Sequence, residues 1–448
     1  SGESGTAGSA ETPAVGGAAG SAGDAGGVGG IGSPGDAGSA GDVPVAGTGG
    51  EGGEAGAGAG GAGGLGGCGL GDPCCAGDVC QNGLNCLGEL CSCVQSIVGG
   101  YIIRTDGRLL FSDNGSQSVV REGIDPIENI EHAFAGRYHG CAVKSDGSAW
   151  CWSTNNISGN NFGQLGNGTV GGTFPLYGAS QVQIEPAASD PEYLTDVVDL
   201  QEGSLNGTPT VTTCAVRTDT TVWCWGDQTD GNLINSVAGG ESPYAAPILA
   251  DATTTFTGAS QVAVGVEHAC VVVSGSVYCW GRNNMGQLGV GDQTDRDYPI
   301  QVPGLDQASK VVAEYATTCA LRNGSVYCWG LNNQGQLGIG DPAANDDCST
   351  NHCKLIPTRV QVAGNQFLTG VVDIQAGYQG MCAERQDHTV WCWGFNDSDV
   401  AVAKERSGGN PVADVADYAI LYNELRFITQ AGDFYEGNAP RDVNCGLL

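Results

Sequence analysis

A pair of cysteines set nine or ten residues apart around a tight turn recurs along this chain, and it limits what the chain can fold into. The clearest copy is Thr318 to Gly340, TCALRNGSVYCWGLNNQGQLGIG. Two short apolar runs, one from Cys319 to Leu321 and one from Val326 to Trp329, flank Asn323-Gly324, the pattern of an antiparallel hairpin. Facing Cα atoms in such a hairpin lie about 4.5 to 5.5 Å apart, within reach of a disulfide, so Cys319 is expected to bond Cys328. The same arrangement predicts Cys141–Cys151, Cys214–Cys224, Cys270–Cys279 and Cys382–Cys392. Two further copies place Tyr101 opposite Phe111 and Arg426 opposite Glu436 where the cysteines would be. The seven copies recur at a mean spacing of roughly 54 residues, which leaves room for four short strands each. Strands this short and this regularly punctuated argue for an all-β chain.

Tryptophan follows the same period. All eight flank the second staple cysteine: Trp150, Trp223 and Trp391 before it, and Trp152, Trp225, Trp280, Trp329 and Trp393 after it. Side chains alternate along a strand, so the indoles face away from the disulfide. Each hairpin is then apolar on both faces and is expected to lie sandwiched between neighbours.

The stretches WGRNNMGQLGVG (Trp280 to Gly291) and WGLNNQGQLGIG (Trp329 to Gly340), each followed by a Pro-x-x-Val strand at Pro299 to Val302 and Pro357 to Val360, resemble the repeats of the regulator of chromosome condensation family. NNFGQLGNG (Asn160 to Gly168) matches after an insertion, and GNL (Gly231 to Leu233) matches weakly. The resemblance covers Val94 to Asp442 unevenly. It implies a seven-bladed β-propeller of about four strands per blade over residues 94–448. It also implies that His139 and His268, two residues before a staple cysteine, are structural hydrogen-bonding histidines. In a secreted bacterial β-lactamase-inhibitory protein that shares this repeat type, the partner is gripped by residues just ahead of that histidine position. Carried over, the position falls on Tyr138, Val211, Glu267, Ala316 and Gln379, with Arg137, Tyr315 and Tyr378 beside them. Arg137, Tyr138, Glu267, Tyr315, Tyr378 and Gln379 form the candidate partner-binding set.

Composition sets the compartment and excludes classes of partner. Seventeen basic against 49 acidic residues give a net charge of −32, which repels nucleic acid and anionic membranes. Twenty cysteines at fixed spacing suit an oxidising, secreted or cell-surface setting. No apolar run is long enough to span a membrane. Residues 1–67 are Gly/Ala/Ser-rich with seven acidic and no basic side chains, and are expected to be a disordered tether. Its r.m.s. reach would be about 40 to 50 Å. Residues 68–93 pack seven cysteines into 26 positions and resemble knottin-like and colipase-like disulfide modules. Seven is odd, so one thiol needs a distant partner. With Cys348–Cys353 as a local pair, Cys445 remains, and in a closed propeller Cys93–Cys445 would lock first blade to last; a free terminal thiol is the alternative.

No catalytic constellation stands out. The five histidines form neither a metal motif nor a triad, and no nucleophile elbow occurs. The acidic loops Asp292 to Asp297 and Asp341 to Asp347 lack the ligand order of a known calcium loop, so solvated acidic loops are expected. No cofactor and no metal are expected. The chain reads as an extracellular, non-catalytic binding module for a protein or a glycan, monomeric, with self-assembly as a further possibility. The competing classes are a structural subunit of a surface layer or filament and a hydrolase with a site on a loop face or in the central channel.

Overall fold

The computed structural model describes residues 85–87, 90–92, 94–98, 101–104, 107–113, 116–136, 138–154, 160–172, 175–186, 191–203, 211–227, 240–340, 346–348, 351–377, 380–394, 400–404, 412–421, 424–430, 434–436 and 439–441. The chain divides into two units, Ser1–Gly63 and Gly64–Leu448. The tether, most of the cysteine-rich module and the Cys93–Cys445 pair lie outside the described residues. Within the module, Asn85–Leu87 pairs with Leu90–Ser92 and sets Cys86 opposite Cys91.

The second unit is an all-β propeller. Among the described residues, seven of its sheets have four or more strands, and in each the chain runs from an inner strand through a hairpin to an outer strand. The inner strands are Val94–Val98, Ile130–Ala135, Val197–Gly203, Ala259–Val264, Ala308–Glu314, Val371–Gly377 and Val415–Leu421. Each touches the next, and the last touches the first. Every inner strand carries a β-bulge around its second residue. That residue (Gln95, Glu131, Val198, Ser260, Ser309, Val372 or Ala416) is turned out to solvent, which explains why Val198 and Val372 are exposed. Extra hairpins extend two outer strands by parallel pairing, Arg121–Glu122 with Asp125–Pro126 in the second sheet and Gln183–Pro186 with Pro191–Tyr193 in the third.

Disulfides join Cys141–Cys151, Cys214–Cys224, Cys270–Cys279, Cys319–Cys328 and Cys382–Cys392, each with Cα atoms 4.1 Å apart, and a sixth joins Cys348–Cys353. Their spacing encodes the turn. The two nine-residue separations enclose two-residue turns, Ser274-Gly275 and Asn323-Gly324, with both residues at positive φ. The ten-residue separations enclose an Asp-x-Ser/Thr turn. There Asp146, Asp219 and Asp387 Oδ1 accept the amides of Ser148, Thr221 and Thr389 at 2.9, 3.0 and 3.2 Å. The same hydroxyls accept Trp150, Trp223 and Trp391 Nε1.

Sheets stack disulfide face to tryptophan face. Cys270 and Cys279 pack in one cluster with Trp329 of the next sheet, and Cys319 and Cys328 with Trp393. In the second, fourth and fifth sheets the loop after the hairpin completes the seam. Leu165, Leu288 and Leu337 are fully buried, with their amides bonded to Asn160, Asn283 and Asn332 Oδ1. The carbonyls of Gln164, Gln287 and Gln336 accept Nε1 of Trp225, Trp329 and Trp393 across the seam at 3.1, 2.8 and 3.0 Å. The GQLG loop is thus a clamp between sheets.

Candidate functional site at the channel mouth

The inner strands surround a central cavity of about 320 Å³ lined by residues of all seven sheets. The third residue of each inner strand, just past the bulge, is polar: Ser96, His132, Asp199, Gln261, Lys310, Asp373 and Asp417. Several reach the next sheet. Asp199 Oδ2 accepts Val262 N at 2.7 Å, Gln261 Oε1 accepts Val311 N at 2.8 Å, and Lys310 Nζ meets Asp373 Oδ1 at 2.6 Å. Asp417 Oδ2 accepts Ile97 N at 2.9 Å and so ties the last sheet to the first. Burial raises the Asp199 carboxyl and pushes that of Asp417 up to about 6, while the amides they hold pull the other way.

Alternation of strand direction places the loops between first and second strands, and between third and fourth, at one end of this channel. The structural histidines stand beneath that face. His139 Nε2 lies 2.8 Å from Thr213 Oγ1 and His268 Nε2 lies 2.7 Å from Thr318 Oγ1, each across a seam. At the mouth the strands converge on glycine: a Cβ on Gly203 would lie 1.7 Å from Gly265 O, and one on Gly136 would lie 1.2 Å from Glu202 Oε1. Glu202 is buried there, its Oε2 2.8 Å from His139 Nδ1. Glu314 stands where four other sheets carry Gly136, Gly203, Gly265 and Gly377. Burial, reinforced by the Glu202 charge, pushes its carboxyl up to about 8.

Of the partner-binding set read from the sequence, Tyr138, Glu267 and Tyr315 are half-buried on these loops, and Arg137, Tyr378 and Gln379 lie outside the described residues. Tyr315 holds a positive φ of 52°, which fixes the short turn between its strands. Glu267 is gripped by Arg282 Nη1 at 2.7 Å, linking the two loop sets of the fourth sheet. Val211 and Ala316, at the equivalent positions, are buried and present no side chain for contact. Glu202, Arg282 and Glu314 escape sequence reasoning. The signal available for the two carboxylates was a charge in a strand position that the other copies fill with glycine or an apolar residue. In the acidic loop, Asp292 accepts Thr294 N at 2.9 Å and pairs with Arg296 Nη2 at 2.6 Å. Among the described residues no group of three or more His, Cys, Asp or Glu side chains is placed to hold a metal ion.

Residues 274–321 and 323–383 match the regulator of chromosome condensation (RCC1) repeat, and a second description of the same repeat matches 130–164 and 259–287. The human E3 ubiquitin-protein ligase HERC2 is 29% identical over 195 residues, 43% of this chain but 4% of that protein. The human probable E3 ubiquitin-protein ligase HERC3 is 35% identical over 99 residues, 22% of this chain and 9% of that protein. The chain therefore matches only a small part of either ligase. The crystal structure of human WBSCR16 superposes with a TM-score of 0.51 at 16% identity, over 72% of this chain and 81% of that one, a likeness of fold.

Proposed function

From a propeller built on RCC1 repeats, we infer that this chain is a non-catalytic binding module that presents one loop face to a protein partner outside the cell. We read the ring as seven-bladed, with residues 1–67 as a tether and 68–93 as a disulfide module. The observation that carries the reading is the loop face itself. Tyr138, Tyr315 and the Glu267–Arg282 pair surround the channel mouth on a frame that disulfides and indole clamps hold rigid. Rigid, amphipathic Tyr and Arg side chains make strong anchors because little conformational freedom is lost when they bind. The six disulfides support an oxidising compartment.

Raised carboxyl groups in a channel would favour the hydrolase alternative. Asp199 and Asp417, however, each spend an oxygen on a backbone amide of the next sheet, which is a structural task. The test uses the full chain, immobilised and exposed to an array of extracellular proteins and to a glycan array. A saturable protein ligand lost on Tyr138→Ala with Tyr315→Ala, and kept on Arg385→Ala at the opposite end of the sheets, supports the reading. Glycan-only binding, or a ligand indifferent to the tyrosine pair, overturns it.

A further inference from the structure

The turn end of the sheets, opposite the channel mouth, carries a repeated cation. The last residue of the second strand is basic in five sheets: Arg104, Lys144, Arg217, Arg322 and Arg385. Arg217 and Arg385 show the full arrangement. Each lies over the indole before the second staple cysteine, Trp223 or Trp391, at 5.7 and 5.6 Å from the ring centroid. Each gives its Nε–H to the carbonyl two residues ahead of its inner strand, Thr195 O or Thr369 O, at 3.0 Å. The turn aspartate then closes on Nη1, Asp219 Oδ2 at 3.5 Å and Asp387 Oδ2 at 2.9 Å. Arg322 keeps the first two contacts, with the Tyr327 ring at 5.8 Å and Asp306 O at 2.8 Å, but its turn is Asn323-Gly324 and supplies no carboxylate.

A second arginine joins it on the same face. Arg322 and Ser325 are Cα partners across the turn, as are Tyr327 and Arg359 across the next pair of strands. Ser325 and Tyr327 lie two apart on one strand, so all four side chains share one face of the fifth sheet. Arg359 reaches along that face to give Nη2–H to Ser325 Oγ at 2.8 Å, and its Cζ lies 4.6 Å from the ring centroid of Phe367, a residue 47% exposed. Its Nε is buried without a partner. Eight other described basic side chains pair with a carboxylate, whereas Arg322 and Arg359 have none within ion-pair distance among the described residues. We propose that this cluster docks an acidic side chain of a protein partner, with the carboxylate received by Arg322 and Arg359 and an adjoining apolar residue set against Phe367. The other sheets indicate the ligand, since at two equivalent guanidiniums the chain seats a carboxylate of its own. Planar guanidinium forks match a carboxylate, and stacking on aromatic rings holds them in place for it. The net charge of −32 opposes an acidic partner, but at physiological salt that field is screened beyond about 8 Å, so the local pair of cations decides. The site lies apart from the channel mouth and adds a second contact surface to the loop face.

The experiment is calorimetric titration of the full chain, at low salt, with the acetylated and amidated peptide GEFEFG beside its uncharged isostere GQFQFG. The glutamate peptide is expected to saturate, and the glutamine peptide to bind about tenfold more weakly or worse. Arg322→Gln and Arg359→Gln should each weaken the glutamate peptide by about tenfold. Arg385→Gln should leave it unchanged, because that guanidinium is already engaged with Asp387. If Arg359→Gln loses the native near-ultraviolet tryptophan signal, Arg359→Lys takes its place, which keeps the charge and should weaken the peptide by removing the planar fork. No saturable binding, equal binding of both peptides, or binding unchanged in the Arg322 and Arg359 variants overturns the proposal. So does a sulfated hexasaccharide that binds through Arg322 where the glutamate peptide does not. Such a failure leaves the loop-face reading standing, since that reading is decided by Tyr138 and Tyr315 at the other end of the sheets.

Discussion

Five sheets carry a disulfide across the hairpin, and the first and last do not. In the first, Tyr101 takes the staple position opposite Phe111, their ring centroids 5.2 Å apart. Tyr101 is fully buried, meets Trp152 edge-on, and its hydroxyl accepts Trp152 Nε1 at 2.6 Å. It thus fills the space of a cystine and also replaces the glutamine carbonyl that clamps the tryptophan in later seams. In the last sheet Arg426 faces Glu436. The two solutions differ in which state they act on. A packed pair stabilises only the folded sheet, whereas a disulfide also restricts the unfolded chain. The first and last sheets, joined to each other through Asp417 and Ile97, should therefore open most readily.

Removing a clamp should do the most harm. Trp329→Ala empties a fully buried indole site and deprives Gln287 O of its donor, and should cost about 3 to 5 kcal/mol in denaturant unfolding. Replacing Cys319 and Cys328 together by Ala should cost roughly 2.7 kcal/mol, the chain-entropy value for a loop of this length. Tyr101→Phe keeps the ring and leaves Trp152 Nε1 buried without its acceptor, at about 1 to 3 kcal/mol. Hydrogen exchange would sharpen the contrast: amides of Ile102 and Phe427 should exchange faster than those of Ala320 and Val271, though all four residues are buried. Equal protection in all sheets would show that the staple adds nothing to local stability.

The hairpins were legible because their determinants are local. A cysteine on each arm, a turn between them and tryptophans beside the second cysteine lie within a dozen residues, and the pairing of Tyr101 with Phe111 follows from the same register. The bulges and the polar ring were not legible. Asp199, Gln261 and Lys310 look like unrelated substitutions until the next sheet brings an amide or a carboxylate to each. The parallel-paired hairpin at Gln183–Pro186 was invisible for a similar reason, since its partner Glu241–Pro247 lies far along the chain. The mouth combines both difficulties. Glu202 and Glu314 lie in different repeats, and only closure of the ring sets one charge against the other.

That juxtaposition yields the smallest and most specific prediction, which contrasts Glu314 with the glycine of the other sheets. Its folded pKa of about 8 lies above the ordinary carboxyl value of 4.5. The folded chain therefore holds the proton more tightly than the unfolded chain. The resulting stability is complete below 4.5 and is lost as pH rises through about 8. His268 acts in the opposite sense: with a folded pKa of about 3 against 6.5, its contribution is complete above 6.5 and is lost as pH falls toward 3. Thermal unfolding of the parent across this range should decline on both sides, and Glu314→Gln should flatten only the alkaline limb. Near pH 8 and above the variant should be the more stable chain, whereas in acid its profile should follow the parent's. An alkaline limb unchanged by Glu314→Gln would mean that another carboxyl, with Asp417 and its value of about 6 the first to suspect, governs the decline.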